Sequence, residues 1–119
     1  TERHLRRESG KRLLALTIQY LVRERGREDI LAEGRRLGAQ YGANSAQRGL
    51  PLADTTRAFL FFRESMSQAL RGTHLPTGQA DADMARIESR LKHFMDEVLF
   101  ATLEAYEAAR LTPLTGQLA

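Results

Sequence analysis

The sequence contains no cysteine. That excludes a disulfide framework, a thiolate nucleophile and a Cys-ligated zinc, and it lets the chain fold in a reducing compartment without penalty. Long apolar runs are missing too. The longest stretch of large apolar side chains is Phe59–Phe62, far short of the about 20 residues that cross a bilayer. The charged N-terminal region also lacks the apolar stretch of a signal peptide. These absences point to a cytoplasmic location and to no membrane partner. β-Branched residues are sparse and neither Asn-Gly nor Asp-Gly occurs, so strand and hairpin signals are poor. No internal repeat is visible, which argues against a solenoid.

What is present is enough for one domain. The chain has 119 residues, of which 42% are hydrophobic, enough for one compact core and too little for two ordinary ones. We expect a single helical sensory or regulatory domain over residues 1–111. Residues 112–119, with Pro113 barring helix continuation, read as the start of a linker to an effector domain lying elsewhere in a longer protein. Residues 1–51 carry 11 Lys/Arg against 6 Asp/Glu, whereas residues 52–119 carry 7 against 9. The basicity therefore sits at the front, diluted by Glu8, Glu24, Glu28, Asp29 and Glu33.

Apolar spacing is helical throughout, so the fold class is all-α: an antiparallel four-helix bundle or a globin-like helical domain, with a long C-terminal helix. The first helix is expected over about His4–Arg25, stopping at Gly26, with Leu14, Thr17, Ile18 and Leu21 inward, Leu13 and Tyr20 beside them, and Leu16 off the stripe. The second is expected over Arg27–Gln47, with Glu28 and Asp29 favoured by the dipole of its first turn. The third runs from Pro51 or Leu52 to Gly72, followed by a loop from His74 to Gln79. The last starts at Asp81 or Asp83 and carries Met84, Ile87, Leu91, Met95, Val98, Thr102, Ala105, Tyr106 and Ala109 on one stripe.

Several residues resist a purely structural account. Arg63 falls between Phe59, Phe62, Met66 and Leu70, on the apolar side of its helix. It can snorkel, stay inside paired with a carboxylate or backbone carbonyls, or bind a carboxylate or phosphate ligand. The reading adopted is a buried structural cation satisfied within the bundle edge. If a ligand enters, Arg63 with Tyr41, Thr56 and Tyr106 is the candidate pocket. Gly34, Gly38 and Gly42 each weaken a helix by about 1 kcal/mol relative to alanine. Their spacing leaves a shallow groove that another helix backbone or a flat ligand could approach closely, and close helix packing is the reading adopted. Phe61 and Phe100 point away from the apolar stripes of their own helices, which suggests a homodimer interface made by the third and fourth helices. His93 sits on a charged face, His74 in a loop and His4 near the chain start, none of them where an axial haem ligand belongs. No metal or other cofactor is expected. No Ser, His and acid grouping stands at catalytic spacing, so an enzyme is not expected.

The stretch YGANSAQRGLPLADTTRAFLFFRESM (residues 41–66), followed by LKHFMDEVLFATLEAY (91–106), resembles the helical N-terminal domains of bacterial stressosome co-antagonist proteins of the RsbR and RsbRD type. The shared elements are an Ala/Gly/Arg-rich helix end, a Gly-Leu-Pro-Leu lead-in to the next helix, an aromatic followed by Arg within it, and a long last helix ending near a Tyr. The resemblance covers about residues 27–110. It implies a globin-like or bundle-shaped sensory module, dimeric, without haem, that signals to an effector after its last helix. It supplies no catalytic residue and names no ligand, and the glycines at 34, 38 and 42 stand outside its pattern. The function expected is therefore a non-catalytic sensory or partner-binding regulatory domain of a bacterial signal-transduction or transcription-control protein. Its expected partners are a second copy, a downstream effector domain, and a small ligand or signalling protein. The competing reading is a nucleic-acid-associated protein using its basic N-terminal helix.

Overall fold

The computed structural model describes the backbone of residues 2–72 and 80–118, and the side chains of Glu8, residues 10–72 and residues 82–111. Among the described residues every regular element is a helix: α1 (Glu2–Val22), α2 (Arg27–Gln47), α3 (Leu52–Arg71) and α4 (Ala80–Leu118). The expected loop from His74 to Gln79 and the side chain of His4 lie outside the described residues.

Glycines in the left-handed region fix both ends of α2. Gly26, at φ 73°, immediately precedes it, and Gly49, at φ 72°, follows it. A Cβ in this region meets the carbonyl oxygen, which disfavours other residues. At the C-terminal end the Leu50 N–H donates to the Ser45 carbonyl and the Gly49 N–H to the Ala46 carbonyl, both at 3.0 Å. This is the paired closure that leaves few helix-end carbonyls orphaned. Pro51 then opens α3.

Successive helices run antiparallel. Arg12 of α1 lies 3.9 Å from Glu33 while Arg27 of α2 reaches Tyr20, and Arg63 of α3 approaches Asp96 while Tyr106 of α4 reaches Leu50. The most extensive packing, however, joins α2 to α4, which run parallel. A Cβ on Gly34 would lie 2.7 Å from Phe94 Cζ; one on Gly38 would lie 2.6 Å from the Val98 carbonyl oxygen; one on Gly42 would overlap the Thr102 carbonyl. The partners advance four residues at a time in the same direction on both helices. Gly38 and Gly42 meet the α4 backbone and Gly34 meets the Phe94 ring, and the propensity lost to three glycines is offset by dispersion contact along a seam whose central side chains, Phe94, Val98 and Thr102, are almost completely buried. Phe94 belongs to this seam although the expected stripe on α4 omitted it. Thr102 and Thr17 tolerate full burial because each hydroxyl donates to the carbonyl four residues back, Val98 at 2.8 Å and Leu13 at 2.7 Å.

α1 and α3 pack on the α2/α4 pair but, among the described residues, not on each other. The face of α1 differs from expectation. Leu16, Thr17, Tyr20 and Leu21 are buried, whereas Leu14 and Ile18 are 40% and 48% exposed. Two apolar stripes compete on this helix, and cross-helix contact selects between them: the Tyr20 ring packs 5.0 Å from Phe94, with the Arg27 guanidinium carbon 4.5 Å from the Tyr20 ring centroid. α1 also ends at Val22, before Gly26. Its last turn contains no basic residue, and the cations come from other helices. Arg27 Nε donates to the Tyr20 carbonyl (3.3 Å) and Arg90 Nη1 to the Leu21 carbonyl (3.0 Å). Arg90, three residues before the exposed His93, is only 14% exposed. Charge-assisted capping of helix-end carbonyls explains its place.

α4 has 39 residues, about 58 Å at 1.5 Å per residue, and it sets the 63 Å long axis of the molecule. The expected stop at Pro113 does not occur. Proline removes one backbone bond and crowds the carbonyl four residues earlier, but here that disturbance falls beyond Tyr106, the last buried side chain of the helix among the described residues. Water can take the freed carbonyl there.

The clasp makes opposite predictions for one chemical change. Gly42→Ala drives a methyl into the Thr102 backbone and should destabilise the domain by at least about 2 kcal/mol. Gly10→Ala, with nothing within 4 Å of the added carbon, should stabilise it by about 0.5–1 kcal/mol. Urea denaturation of the two variants checks both signs.

Candidate functional site

The gap between α1 and α3 is a cavity of about 230 Å³, roughly half enclosed. Its floor is the clasp itself, with Gly38 from α2 and Val98 and Thr102 from α4, and Leu37 and Tyr41 line it beside Gly38. Gly10 and Leu13 form one wall, and Ala58, Phe59 and Phe62 form the other. Among the described residues no ionisable side chain other than the Tyr41 phenol lines it. Helical spacing explains the α3 wall: Ala58, Phe59 and Phe62 fall within one turn, and Phe59 is pinned at 6% exposure.

Of the four residues singled out for a pocket, the structure brings only Tyr41 to this cavity. Arg63 is not buried as expected: its side chain is 40% exposed, and its long stem lets Nη1 reach to within 3.7 Å of Asp96 Oδ1 at the α3/α4 edge. An exposed pair of that kind contributes about 0–1 kcal/mol. The Thr56 hydroxyl donates to the Leu52 carbonyl of its own helix at 2.9 Å. The Tyr106 hydroxyl donates to the Leu50 carbonyl at 2.5 Å, tying α4 to the α2–α3 connection. Positions on separate helices that share an angle need not share a height along the bundle, and spacing within one helix cannot supply that height. The cavity residues that were not anticipated as a site, Leu13, Leu37, Val98 and Thr102, read in sequence as ordinary core.

A second, shallow groove lies along α2 and α4, lined by Arg35, Arg36, Ala39, Glu97, Phe100, Ala101, Glu104 and Ala105. Arg35 Nη2 donates to Glu97 Oε1 at 2.7 Å across it. Phe100 at its rim is 58% exposed, and Phe61 on the outer side of α3 is 75% exposed. The basic front of the chain forms no continuous cationic face among the described residues: Lys11 lies 3.8 Å from Glu8, Arg12 and Arg36 both approach Glu33, and Arg35 meets Glu97. His93 is exposed, 6.5 Å from the Tyr20 ring. Among the described residues no three His, Asp or Glu side chains gather as a metal site requires, and no helix is long and apolar enough to cross a membrane.

Four helices, a long terminal α4 and a hollow beside a helix clasp define a scaffold but no chemistry, and the decision comes from comparison. The family model described as the RsbT co-antagonist protein rsbRD N-terminal domain matches residues 2–119. The chain belongs to that family. No curated protein and no solved structure matches it. The RsbRD match includes α1, so the family pattern reaches well beyond the 27–110 stretch that carries the visible resemblance. As an RsbRD-type N-terminal domain the chain is a regulatory domain of stressosome-related signalling.

Two substitutions check the placement of the polar groups. Tyr106→Phe leaves the Leu50 carbonyl without its donor and should cost about 1–2 kcal/mol. Arg63→Met should change stability by less than about 1 kcal/mol. Thermal or urea unfolding that reversed this order would contradict the geometry.

Proposed function

We propose that this RsbRD-type domain is a non-catalytic sensory or partner-binding module of a bacterial signal-transduction or transcription-control protein, working in the cytoplasm as a homodimer. It passes its state to an effector domain in the same chain. The observation that supports this reading is the position of α4: one helix forms the floor of the cavity, locks into α2 through the glycines, and continues unbroken past the bundle to Leu118. A small rotation of α4 at the cavity would be carried along its length, because a packed helix moves as a unit. The family description speaks of co-antagonists of RsbT. For this chain that supports an output through association with another protein, not through a reaction.

The homodimer reading rests on exposed aromatics. Phe61 and Phe100 leave most of their apolar surface exposed, 75% and 58%, and a symmetric interface is the common way to cover such surface. α1 adds a competing stripe, Leu14, Ile18 and Val22, the last 68% exposed. Sedimentation velocity separates the two surfaces. The chain should sediment as a dimer, Phe61→Glu combined with Phe100→Glu should yield a folded monomer, and Ile18→Glu should leave the dimer intact. Dissociation by Ile18→Glu alone would move the interface to α1, and a wild-type monomer would remove the homodimer.

A further inference from the structure

The cavity differs chemically from the anion pocket that Arg63 suggested. Its walls are aromatic and aliphatic, and among the described residues no Lys, Arg, His, Asp or Glu side chain lines it. Arg63 is engaged at the edge by Asp96. A charged ligand entering here would lose its hydration without gaining a partner, which is a severe penalty. Water is poorly served as well, since an ordered water needs about 2–4 polar contacts. The side chains offer two polar groups. The Thr102 hydroxyl already donates to the Val98 carbonyl at 2.8 Å, so it can only accept. Tyr41 is half-buried and its hydroxyl can donate or accept.

Size and shape narrow the occupant further. An apolar cavity of about 150 Å³ takes up benzene, and the about 230 Å³ available here has room for a second ring. Gly38 keeps the floor flat: a Cβ there would lie 2.6 Å from the Val98 carbonyl oxygen and 2.9 Å from Thr102 Oγ1. Phe59 and Phe62 stand on one side, suited to edge or offset contact with a planar ring.

We propose that this cavity binds an uncharged, planar aromatic molecule of one to two rings carrying a single hydroxyl or carbonyl, with that group meeting Tyr41 and, when it is a hydroxyl, donating to Thr102. The proposal deepens the sensory reading above and rests on it for its biological purpose. Because the ligand lies against Val98 and Thr102 as well as Leu13 and Phe62, its arrival reaches α4 at the clasp and both walls at once.

The test uses the whole chain with 1-naphthol, naphthalene and 1-naphthoate as probes, followed by calorimetry and backbone NMR. 1-Naphthol should bind saturably, one per chain, shifting the amides of Leu13, Phe62 and Val98. 1-Naphthoate, of similar shape but charged, should bind at least about tenfold more weakly. Tyr41→Phe should reduce the preference for 1-naphthol over naphthalene about fivefold, the usual worth of one hydrogen bond. Ala58→Phe, at an exposed position on the cavity wall, should fill the site and abolish binding while the fold persists. Equal binding of naphthoate and naphthol, or binding that survives Ala58→Phe, would overturn the proposal. So would the lack of saturable binding by any probe. In that last case a chain that still dimerises keeps the partner-binding reading, whereas a bare monomer loses both.

Discussion

The contact on which the structure depends is the close approach of α2 to α4 at Gly34, Gly38 and Gly42, against the Phe94 ring at the first and against backbone at the other two. In a regular four-helix bundle the diagonal helices stand apart and side chains from all four fill the middle. Here the diagonal parallel pair closes the middle itself, since no side chain on α2 separates it from Phe94, Val98 and Thr102. α1 and α3 are left to pack on that pair without packing on each other. The cavity is the space this arrangement leaves, and its floor is flat because the floor is the clasp.

The electrostatic arrangement is secondary, with one exception. Most ion pairs join exposed side chains on neighbouring turns or neighbouring helices, and such pairs contribute little. The exception is the C-terminal end of α1, where Arg27 from α2 and Arg90 from α4 donate to the Tyr20 and Leu21 carbonyls. α1 lacks a basic last turn of its own, so its end is stabilised only once the other helices are in place. Helix length and tertiary docking are thereby coupled.

Local signals specified the helices well and their mutual rotation poorly. The limits of α2 were readable because left-handed glycines bracket it and acids occupy its first turn. The three glycines were readable as a site of close approach, but not the partner helix or the parallel direction. The face of α1 was not readable: Leu14 and Ile18 are as apolar as Leu16, and only the Tyr20 to Phe94 contact settles which side turns inward. For the same reason the four polar residues considered for a ligand scatter in space. Tyr41 lines the cavity, Tyr106 ties down the α2–α3 connection, Thr56 bonds to its own helix and Arg63 reaches the edge. Periodicity gives an angle on one helix, whereas a site needs the heights and rotations of several.

The clasp also governs the order in which the chain can acquire a core. Helical domains usually fold fast because their contacts are local in sequence. In this one the tightest seam joins α2 to a helix two elements later, so its contacts form across a long intervening loop of chain and carry the corresponding closure entropy. During synthesis α1, α2 and α3 emerge first, with the glycine face of α2 unoccupied and Ile30, Leu31 and Phe59 lacking the core around Phe94 and Met95. Three helices alone leave these apolar groups uncovered, and the core closes only with the fourth.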